Sequence, residues 1–374
     1  MRTKIRRRGR RWFLYAVQAD GSERGAGGFA TQREARAAGK ALEVDTSRGS
    51  YVSPSKMTIA DGYGEWSATR KNLSPNSRGV EDVMWSSWIL PTVGDVPVQR
   101  FTQRDYHRMD DALIERGLSG KSRRNARATL RTFFEWCAGN GYVLRNVVAL
   151  TEPPTTDDSK AREAFTTEEV GALLAVPDRL HPIWRLFFET GGRRGEVAGL
   201  RDEDVDGCRI QIRRQRLVRP ARSWDQDRVY VRPTTKGRRE RTVVVSEEMG
   251  AVLRRWKAQR AEERLAFGPA YVDESWVCAE ADGSPIQPDT LSGRFRALER
   301  RAGVPHRGLH ACRHTHAELA LAGGVRLDVV SKQLGHASVA ITADVYGHPD
   351  TVGLTQAAEQ LGALLARGGM ADGD

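Results

Sequence analysis

The chain lacks the features that mark a secreted or membrane protein. It has only four cysteines in 374 residues and no C-x-x-C pair, so neither a disulfide framework nor a cysteine-rich metal site is indicated. No apolar run approaches the roughly 20 residues of a membrane span. The apolar run that follows the basic start, residues 12–17, is too short for the core of a signal peptide. These absences predict a cytoplasmic protein with reduced thiols and no membrane partner.

Lysine is also scarce, although the chain is strongly basic. Of the 59 basic residues, nine are lysine and 50 are arginine, and the net charge is +11. This charge predicts a polyanionic partner, and arginine suits paired hydrogen bonds to phosphate. A GC-rich genome would account for the arginine fraction equally well, but it does not explain the net charge.

The first 50 residues combine a basic run with one or two strands and one helix. Arg7 and Arg8 belong to a cluster of basic residues before the apolar stretch 12–17, which predicts a strand. Thr31 and Glu34 have the spacing of a capping box, which predicts the start of a helix. The pattern favours a small module that binds DNA through the basic run. A disordered basic tail beside a minor packing unit is the alternative.

Four helical patterns follow, near residues 57–70, 75–89, 102–117 and 120–138. In the last of them an apolar stripe is formed by Ala126, Leu130, Phe133, Phe134 and Cys137. Arg124, Arg127 and Arg131 repeat on another face at i, i+3 and i+7. A helix with both stripes can lie between a core and a DNA backbone, so these arginines are predicted DNA contacts. A solvated face is the alternative for each.

A polar segment with paired prolines, 151–159, predicts a domain boundary. The next helix is predicted to start with the capping box Thr166–Glu169. Short strand patterns within 209–246 predict a small antiparallel sheet, with Lys236 at the hairpin tip between the last two strands. An amphipathic helix is expected at 355–366, packed on its own domain or docked on a neighbouring copy.

Five short segments in the second half of the chain concentrate residues that suit phosphodiester chemistry. They are Thr190–Glu196, Thr235–Gly237, His310–His314, Leu334–His336 and Tyr346–His348. Their arginines can hold a phosphate, lysine and histidine can move protons, and a tyrosine hydroxyl can act as a nucleophile. Together they indicate the breaking and rejoining of a phosphodiester without a metal or cofactor. Each segment alone also fits an ordinary helix, turn or core position.

In this order the five segments resemble the active-site boxes of the tyrosine recombinase (phage integrase) family. The resemblance is strong over 160–350 and looser before it, where it suggests the lambda-integrase type with an N-terminal arm-binding module. It implies a multidomain α+β fold with three parts. These are a small β-rich arm-binding module (1–50), a helical, SAM-like core-binding domain (57–150), and a mainly α catalytic domain with a small antiparallel sheet and a C-terminal tail helix (160–374).

The resemblance also implies a role for one or two residues of each box. The implied residues are the phosphate ligands Arg193, Arg313 and His336, the general acid Lys236, the proton acceptor His310, the nucleophile Tyr346 and the supporting acid Glu196. His310 is alternatively a phosphate ligand, His336 alternatively bonds the nucleophile, and an arginine beside Lys236 is the alternative proton donor. Arg194 is the competing phosphate ligand in the first box, but the family's spacing selects Arg193. Val197 and Leu200 are expected to anchor the helix after this box, and Leu309 and Leu319 to anchor the helix of the third box.

The implied function is a site-specific DNA recombinase that integrates or excises a phage or mobile element through a 3′-phosphotyrosyl intermediate. Its implied partners are double-stranded DNA attachment sites, three further copies of the chain in a DNA-bound tetramer, and accessory DNA-bending or directionality proteins. A type IB topoisomerase shares the tyrosine chemistry, and a non-catalytic DNA-binding protein could share the architecture. A zinc site at His306, His310 and His314 is disfavoured, because Pro305 places His306 before the helix and no Cys or carboxylate stands at ligand spacing.

Overall fold

The chain divides into two compact units, Met1–Asp157 and Asp158–Asp374. The computed structural model describes residues 2–17, 21–47, 52–156, 163–218, 229–233, 240–336 and 338–346. The division falls within the polar segment predicted as a boundary, and the finer division into three domains stays a prediction. In these ranges no helix is both long and apolar enough to cross a membrane. The fold is α+β, as predicted.

The first unit begins with a three-stranded antiparallel sheet covered by one helix. Its elements are β1 (Arg2–Arg8), β2 (Arg11–Val17), β3 (Glu23–Phe29) and α1 (Gln32–Ser47). Strand β2 is central and carries the apolar side chains Leu14 and Ala16, which are buried together with Ala35 of α1. The basic run is therefore a strand paired along its whole length with β2, and not the disordered tail that the sequence left open. Thr31 and Glu34 exchange the hydrogen bonds of the predicted capping box.

Helices make up the rest of the first unit, close to the four predicted stretches. They are α2 (Ile59–Thr69), α3 (Pro75–Met84), α4 (Leu90–Val93), α5 (Gln103–Glu115) and α6 (Gly120–Gly139), with a π-helical turn, Trp85–Ile89, between α3 and α4. The predicted apolar stripe of α6 is completely buried. Phe133 of this stripe meets Trp85 edge to face at 5.2 Å, and Trp85 stacks on Tyr63 at 4.4 Å. Aromatic packing therefore holds α6 against α2 and the π-helical turn.

The second unit is mainly helical, with short strands on one side. Its helices are α7 (Thr167–Ala175), α8 (His181–Thr190), α9 (Arg194–Val197), α10 (Glu247–Phe267), α11 (Pro288–Arg301), α12 (Leu309–Ala322), α13 (Leu327–Leu334) and α14 (Val339–Tyr346). Thr166 and Glu169 form the predicted capping box at the start of α7. The core is built on large side chains of α8, α10 and α11, including Trp184, Trp256 and Phe295, each at most 1% exposed.

The strands of the second unit correct the predicted hairpin around Lys236. They are β4 (Val205–Asp206), β5 (Arg209–Ile212), β6 (Arg214–Val218), β7 (Val229–Pro233) and β8 (Arg241–Val244). Strand β7 pairs with β6 and β8 pairs with β5, so the two strands that flank Lys236 are not paired with each other. Strands β6 and β7 form a two-stranded sheet of their own, and β8 is an edge strand of the three-stranded sheet β4–β5–β8.

The register places the insertion that carries Lys236. Pro233 pairs with Arg214, and Arg241 pairs with Ile212. The two residues that bound the intervening segment therefore pair with residues on either side of residue 213. Lys236 itself lies outside the described residues.

Candidate active site

The first box is a tight turn at the end of α8. Gly191 ends this helix in the left-handed conformation, with φ of +57°, which favours glycine. A Cβ at this position would also lie 2.7 Å from Leu334 Cδ2 and 2.9 Å from His316 Cδ2. The Thr190 hydroxyl accepts a hydrogen bond from the backbone N–H of Gly192. The glycine is therefore needed for its backbone conformation and for the close packing of α13 and α12 on the turn.

Arg193 follows the turn and stands at the N-cap of α9. The helix predicted here is a single turn of four residues, because the chain turns into the strands directly afterwards. Val197 and Leu200 are buried, as predicted, and anchor the turn in the core. Arg194, the competing phosphate ligand, instead pairs with Asp289 at 2.9 Å. The Arg193 side chain remains 29% exposed, so its guanidinium is open to a ligand.

Glu196 is the buried anion that holds the cations of the site. Its side chain is 1% exposed, and its Oε1 accepts a hydrogen bond from Arg193 Nη1 at 2.9 Å. Arg241 donates to both carboxylate oxygens, at 3.1 Å and 2.7 Å. Burial raises the pKa of Glu196, but the hydrogen bond from Arg241 and the charges of Arg241 and Arg193 outweigh it and lower the pKa to about 2. Glu196 is therefore ionised throughout the physiological range.

Arg313 lies in the middle of α12 and bridges two other boxes. Its side chain is buried, Nη1 donates to the carbonyl of Gly191 at 2.9 Å, and Nη2 donates to the carbonyl of Leu334 at 2.7 Å. One guanidinium thus connects the turn before Arg193 with the end of the helix before His336. These bonds use two of its five N–H donors.

His336 follows α13 after the left-handed residue Gly335, which ends that helix. Its Nδ1 lies 2.7 Å from the hydroxyl of Thr342 on α14. Burial, together with the charges of Arg313, Arg193 and Arg241, lowers the pKa of His336 to about 4. The ring is therefore neutral near pH 7, and it lies within electrostatic range of all three arginines.

His310 stands one turn before Arg313 at the start of α12, with a different environment. It is exposed and its ring meets that of His314 edge to face at 4.9 Å. Leu309 beside it is buried, as predicted, whereas Leu319 is 43% exposed, which corrects the predicted core position. Ten residues further along a helix, Leu319 lies about 80° around the axis from Leu309, and the core does not extend that far.

A groove of about 660 Å³ opens beside these residues. Arg193 and His310 both line it, as do three further arginines, Arg194, Arg296 and Arg307. The groove is therefore lined with arginines, of which Arg194 pairs with Asp289 and Arg307 with Glu169, and it continues away from Arg193 along α11.

Two predicted site residues are not fully described by the structure. Tyr346 is the last residue of α14, but only its backbone is described. Lys236 lies wholly outside the described residues. The hydrogen bond between His336 and Thr342 fixes α14 one helical turn before Tyr346. The Ser338 hydroxyl accepts from the backbone N–H of Ala340, as expected for a residue that caps this helix.

The arginines predicted to contact DNA in the first unit differ in their surroundings. Arg127 donates to the hydroxyl of Thr151 at 3.0 Å and to the carbonyl of Val148 at 3.2 Å. Arg124 donates twice to the carbonyl of Pro154, at 3.2 and 3.3 Å. Both therefore hold the chain that follows α6, whereas Arg131 is exposed. Their contact with DNA stays a prediction, and Arg131 suits it best.

Arg7 and Arg8 lie at the exposed end of β1. The guanidinium of Arg7 lies 5.9 Å from the ring centre of Trp12, while the nearby Lys4 and Arg6 are paired with Glu23. Positive charge is thus concentrated toward the end of the strand, where Arg7 and Arg8 stand. Their contact with DNA also stays a prediction.

His306, one of the histidines weighed as zinc ligands, is directed to another partner: its Nδ1 lies 2.6 Å from the buried carboxylate of Glu299. The nearby His316 Nδ1 lies 2.9 Å from the carbonyl of Phe188. Within the part of the chain that the structure describes, no three His, Cys, Asp or Glu side chains form a group that could hold a metal ion.

Three members of the network were not predicted from the sequence: Arg241, Gln215 and Thr342. Arg241 contacts Glu196 as described, the amide of Gln215 lies 3.4 Å from Glu196 Oε1, and Thr342 contacts His336. The one available indication was an arginine, Arg241, directly before the run Thr-Val-Val-Val, because a charge that becomes buried requires a partner.

Comparison with known proteins assigns this arrangement to a family. Residues 163–352 match the phage integrase family. Over 279 residues the chain is 31% identical to a XerC-like tyrosine recombinase of Caldanaerobacter subterraneus subsp. tengcongensis, covering 70% of each protein. The chain belongs to the phage integrase family. It is a tyrosine recombinase, and this membership favours the predicted integrase over the topoisomerase and the non-catalytic alternatives.

Another relative and two solved structures are also similar to this tyrosine recombinase. It is 26% identical to the ICEBs1 integrase of Bacillus subtilis over 67% of this chain and 68% of that one. Its fold is similar to that of the Tn1549 transposon integrase in complex with transposon right end DNA, with a TM-score of 0.70, 18% identity and coverage of 82% of this chain and 100% of that one. A lambda integrase tetramer bound to a Holliday junction gives a TM-score of 0.59 at 16% identity, over 91% of this chain and 94% of that one. At these identities the structural similarity concerns the fold.

Proposed function

We propose that this tyrosine recombinase is the integrase of a phage or other mobile element, and that it cleaves and rejoins DNA with the residues of the site described above. The observation that carries the proposal is the bridging position of Arg313. Its guanidinium contacts the carbonyls of Gly191 and Leu334 and thereby brings the segments of Arg193 and His336 together. Two cations and a neutral imidazole are then close enough to act on one another electrostatically, as the joint binding of a scissile phosphate requires.

In the proposed cleavage step these three residues bind the phosphate. Arg193 and Arg313 supply permanent positive charge to the phosphorane transition state, which carries more negative charge than the ground state. His336 is neutral near pH 7 because burial and the adjacent arginines lower its pKa to about 4. In the tautomer in which Nδ1 accepts from the Thr342 hydroxyl, the neutral ring donates a hydrogen bond through Nε2, and it is not a third cation.

The bonds exchanged in this step balance without a co-reactant. The oxygen of Tyr346 attacks phosphorus, and its proton passes to His310. The bond between phosphorus and the 5′ oxygen breaks, and Lys236 gives that oxygen a proton. The product is a 3′-phosphotyrosyl bond and a free 5′ hydroxyl. Attack by a 5′ hydroxyl of a second duplex reverses the step and joins the new strands.

The groove beside Arg193 supports double-stranded DNA as the substrate. Its walls carry four arginines and two histidines, which suits the closely spaced charges of a phosphate backbone. We propose that attachment-site DNA lies along this groove and that four copies assemble on two duplexes, with accessory DNA-bending or directionality proteins as further partners. The protein would act in the cytoplasm, on the nucleoid.

Covalent trapping tests the proposed chemistry. The protein is incubated in EDTA with a nicked suicide duplex that carries the attachment core of its element, and the products are separated on a denaturing gel. We expect an adduct linked through a 3′ phosphate in the wild type and none in Tyr346→Phe, which should bind the duplex normally. An adduct in Tyr346→Phe would show that another residue is the nucleophile. No wild-type adduct on a duplex that is demonstrably bound would contradict the proposed activity.

A further inference from the structure

The last two carbonyls of α13 are each held by an arginine from another part of the chain. Arg313 Nη2 donates to the carbonyl of Leu334, and Arg241 Nε donates to the carbonyl of Gln333, both at 2.7 Å. A helix leaves its last carbonyls without partners of its own. Here both are bound by guanidinium groups immediately before His336, so the direction in which the chain leaves α13 is fixed from outside the helix.

The other side of Arg241 faces the first box. Its Nη1 and Nη2 donate to Glu196 Oε1 and Oε2, and the same Oε1 accepts from Arg193 Nη1. Arg241 therefore contacts Glu196, which holds Arg193, and the carbonyl of Gln333, which lies shortly before His336. Glu196 is 45 positions and Gln333 is 92 positions from Arg241 in the chain.

The side chain of Arg241 is closely packed. The side chain is 12% exposed, and a Cβ at Gly335 would lie 3.0 Å from Arg241 Cδ and Nη1. Gly335 therefore serves two purposes: it adopts the left-handed conformation, with φ of +66°, and it leaves space for the guanidinium. Arg241 is also the residue at which the segment carrying Lys236 rejoins the strand ladder.

We propose that Arg241 is a positioning residue for strand cleavage, which sets Arg193 through Glu196 and sets His336 through the carbonyl of Gln333. The inference rests on the proposed function of this site. A planar guanidinium is required because its Nε edge and its two terminal nitrogens point in different, fixed directions. A lysine ammonium is a single point charge at the end of a flexible chain, so it can pair with Glu196 but cannot also hold the carbonyl in a defined direction.

A purely structural role would produce a different result from the proposed one. Any buried arginine paired with a buried carboxylate contributes to folding, and its loss lowers stability wherever it lies. Arg214 is a matched case in the adjoining strand: its side chain is 17% exposed and pairs at 2.6 Å with Asp204, which is 1% exposed. It has no described contact with Glu196, Gln333 or any of the proposed phosphate ligands.

The test compares Arg241→Gln, Arg241→Lys and the control Arg214→Gln. The single-turnover rate of adduct formation on the suicide duplex is measured at saturating protein, together with the Kd for the duplex and the Tm of the free protein. We expect Arg241→Gln to lower the cleavage rate about 100-fold, since displacement of a catalytic group by about 1 Å has an effect of this size, and to leave Kd unchanged. Arg241→Lys should recover most of the lost Tm but little of the rate. Arg214→Gln should lower Tm and retain the wild-type rate.

Three outcomes would overturn the proposal. They are a wild-type cleavage rate in Arg241→Gln, an equal loss of rate in Arg214→Gln, and complete recovery of the rate by Arg241→Lys. If Arg241→Gln does not fold, the rate of Arg241→Lys decides between positioning and charge alone. Failure of the wild type to form an adduct would instead contradict the proposed function, so the two hypotheses fail in distinguishable ways.

Discussion

Replacing Glu196 by glutamine is expected to destabilise the second unit and to abolish most strand cleavage. The carboxylate is 1% exposed and is bound by two guanidinium groups and by the backbone N–H of Arg193. Glutamine has nearly the same shape but carries no charge, and its amide N–H₂ would face N–H donors. Arg241 would then be buried without an anion, which is more costly than losing both partners together.

The size of the effect follows from the pKa of Glu196. A fall from the ordinary value of 4.5 to about 2 corresponds to about 3 kcal/mol of stability at neutral pH. For a unit of this length, that predicts a decrease in Tm of about 6 to 12 °C. Because the folded-state pKa is lowered, the contribution is complete above about pH 4.5 and is lost as the pH falls toward 2, with about 2 kcal/mol left near pH 3.5.

Thermal unfolding of the wild type and Glu196→Gln, followed by circular dichroism from pH 7 to pH 3.5, measures this contribution. Glu203→Gln is the control, since Glu203 also pairs with an arginine, at 2.6 Å, but is 58% exposed, and an exposed pair contributes at most about 1 kcal/mol. The reasoning is refuted if Glu196→Gln and the control unfold at the same temperature at pH 7. It is also refuted if the difference between Glu196→Gln and the wild type does not shrink in acid.

Three other predictions concern separate parts of the structure. Gly191→Ala should lower Tm by more than Gly207→Ala in thermal unfolding. Both glycines have positive φ, but the new Cβ meets side-chain atoms at 2.7 Å at Gly191 and nothing within 4 Å at Gly207. Equal losses of Tm would show that backbone strain alone matters. The pKa of His336 in the wild type, followed by NMR titration of its ring, should lie near 4. The stability contributed by the neutral ring is then present above about pH 6.5 and is lost as the pH falls toward 4. A pKa at or above 6.5 would contradict the proposed environment. Arg131→Ala should weaken DNA binding and reduce the salt dependence of binding without changing Tm. Arg127→Ala should instead lower Tm, because Arg127 holds the chain after α6. Salt-titrated binding and thermal unfolding measure both effects, and the reverse pattern would contradict these assignments.

Most helices of this protein could be predicted from local patterns. The stripe of α6, the capping boxes at Thr31 and Thr166 and the glycine at the end of α13 each depend on residues within one or two turns of one another, and the structure contains all of them. Such features follow from backbone geometry and nearby side chains, which a short stretch of sequence contains completely. The predicted core position of Leu319 failed because burial depends on where the neighbouring elements end.

Strand pairing was predicted less well, because it too depends on elements that are distant in the sequence. The strand patterns around Lys236 are visible in the sequence, but their partners are not: β7 pairs with β6, and β8 pairs with β5. A hairpin is the simplest arrangement of two neighbouring strands. The choice of a different partner depends on contacts across the whole sheet.

The sequence by itself determined the family, the order of the five boxes and the candidate residues, because chemistry at fixed spacing is a property of the chain. Only the tertiary structure decided which side chains support them. Arg241 has no special spacing to any box, yet it joins Glu196 to the end of α13 across 45 and 92 positions of sequence. Arg127 belongs to a regular arginine stripe, yet its donors are used within the protein. A buried charge must find its partner in space, and that partner is fixed by the packing of helices and strands distant in sequence.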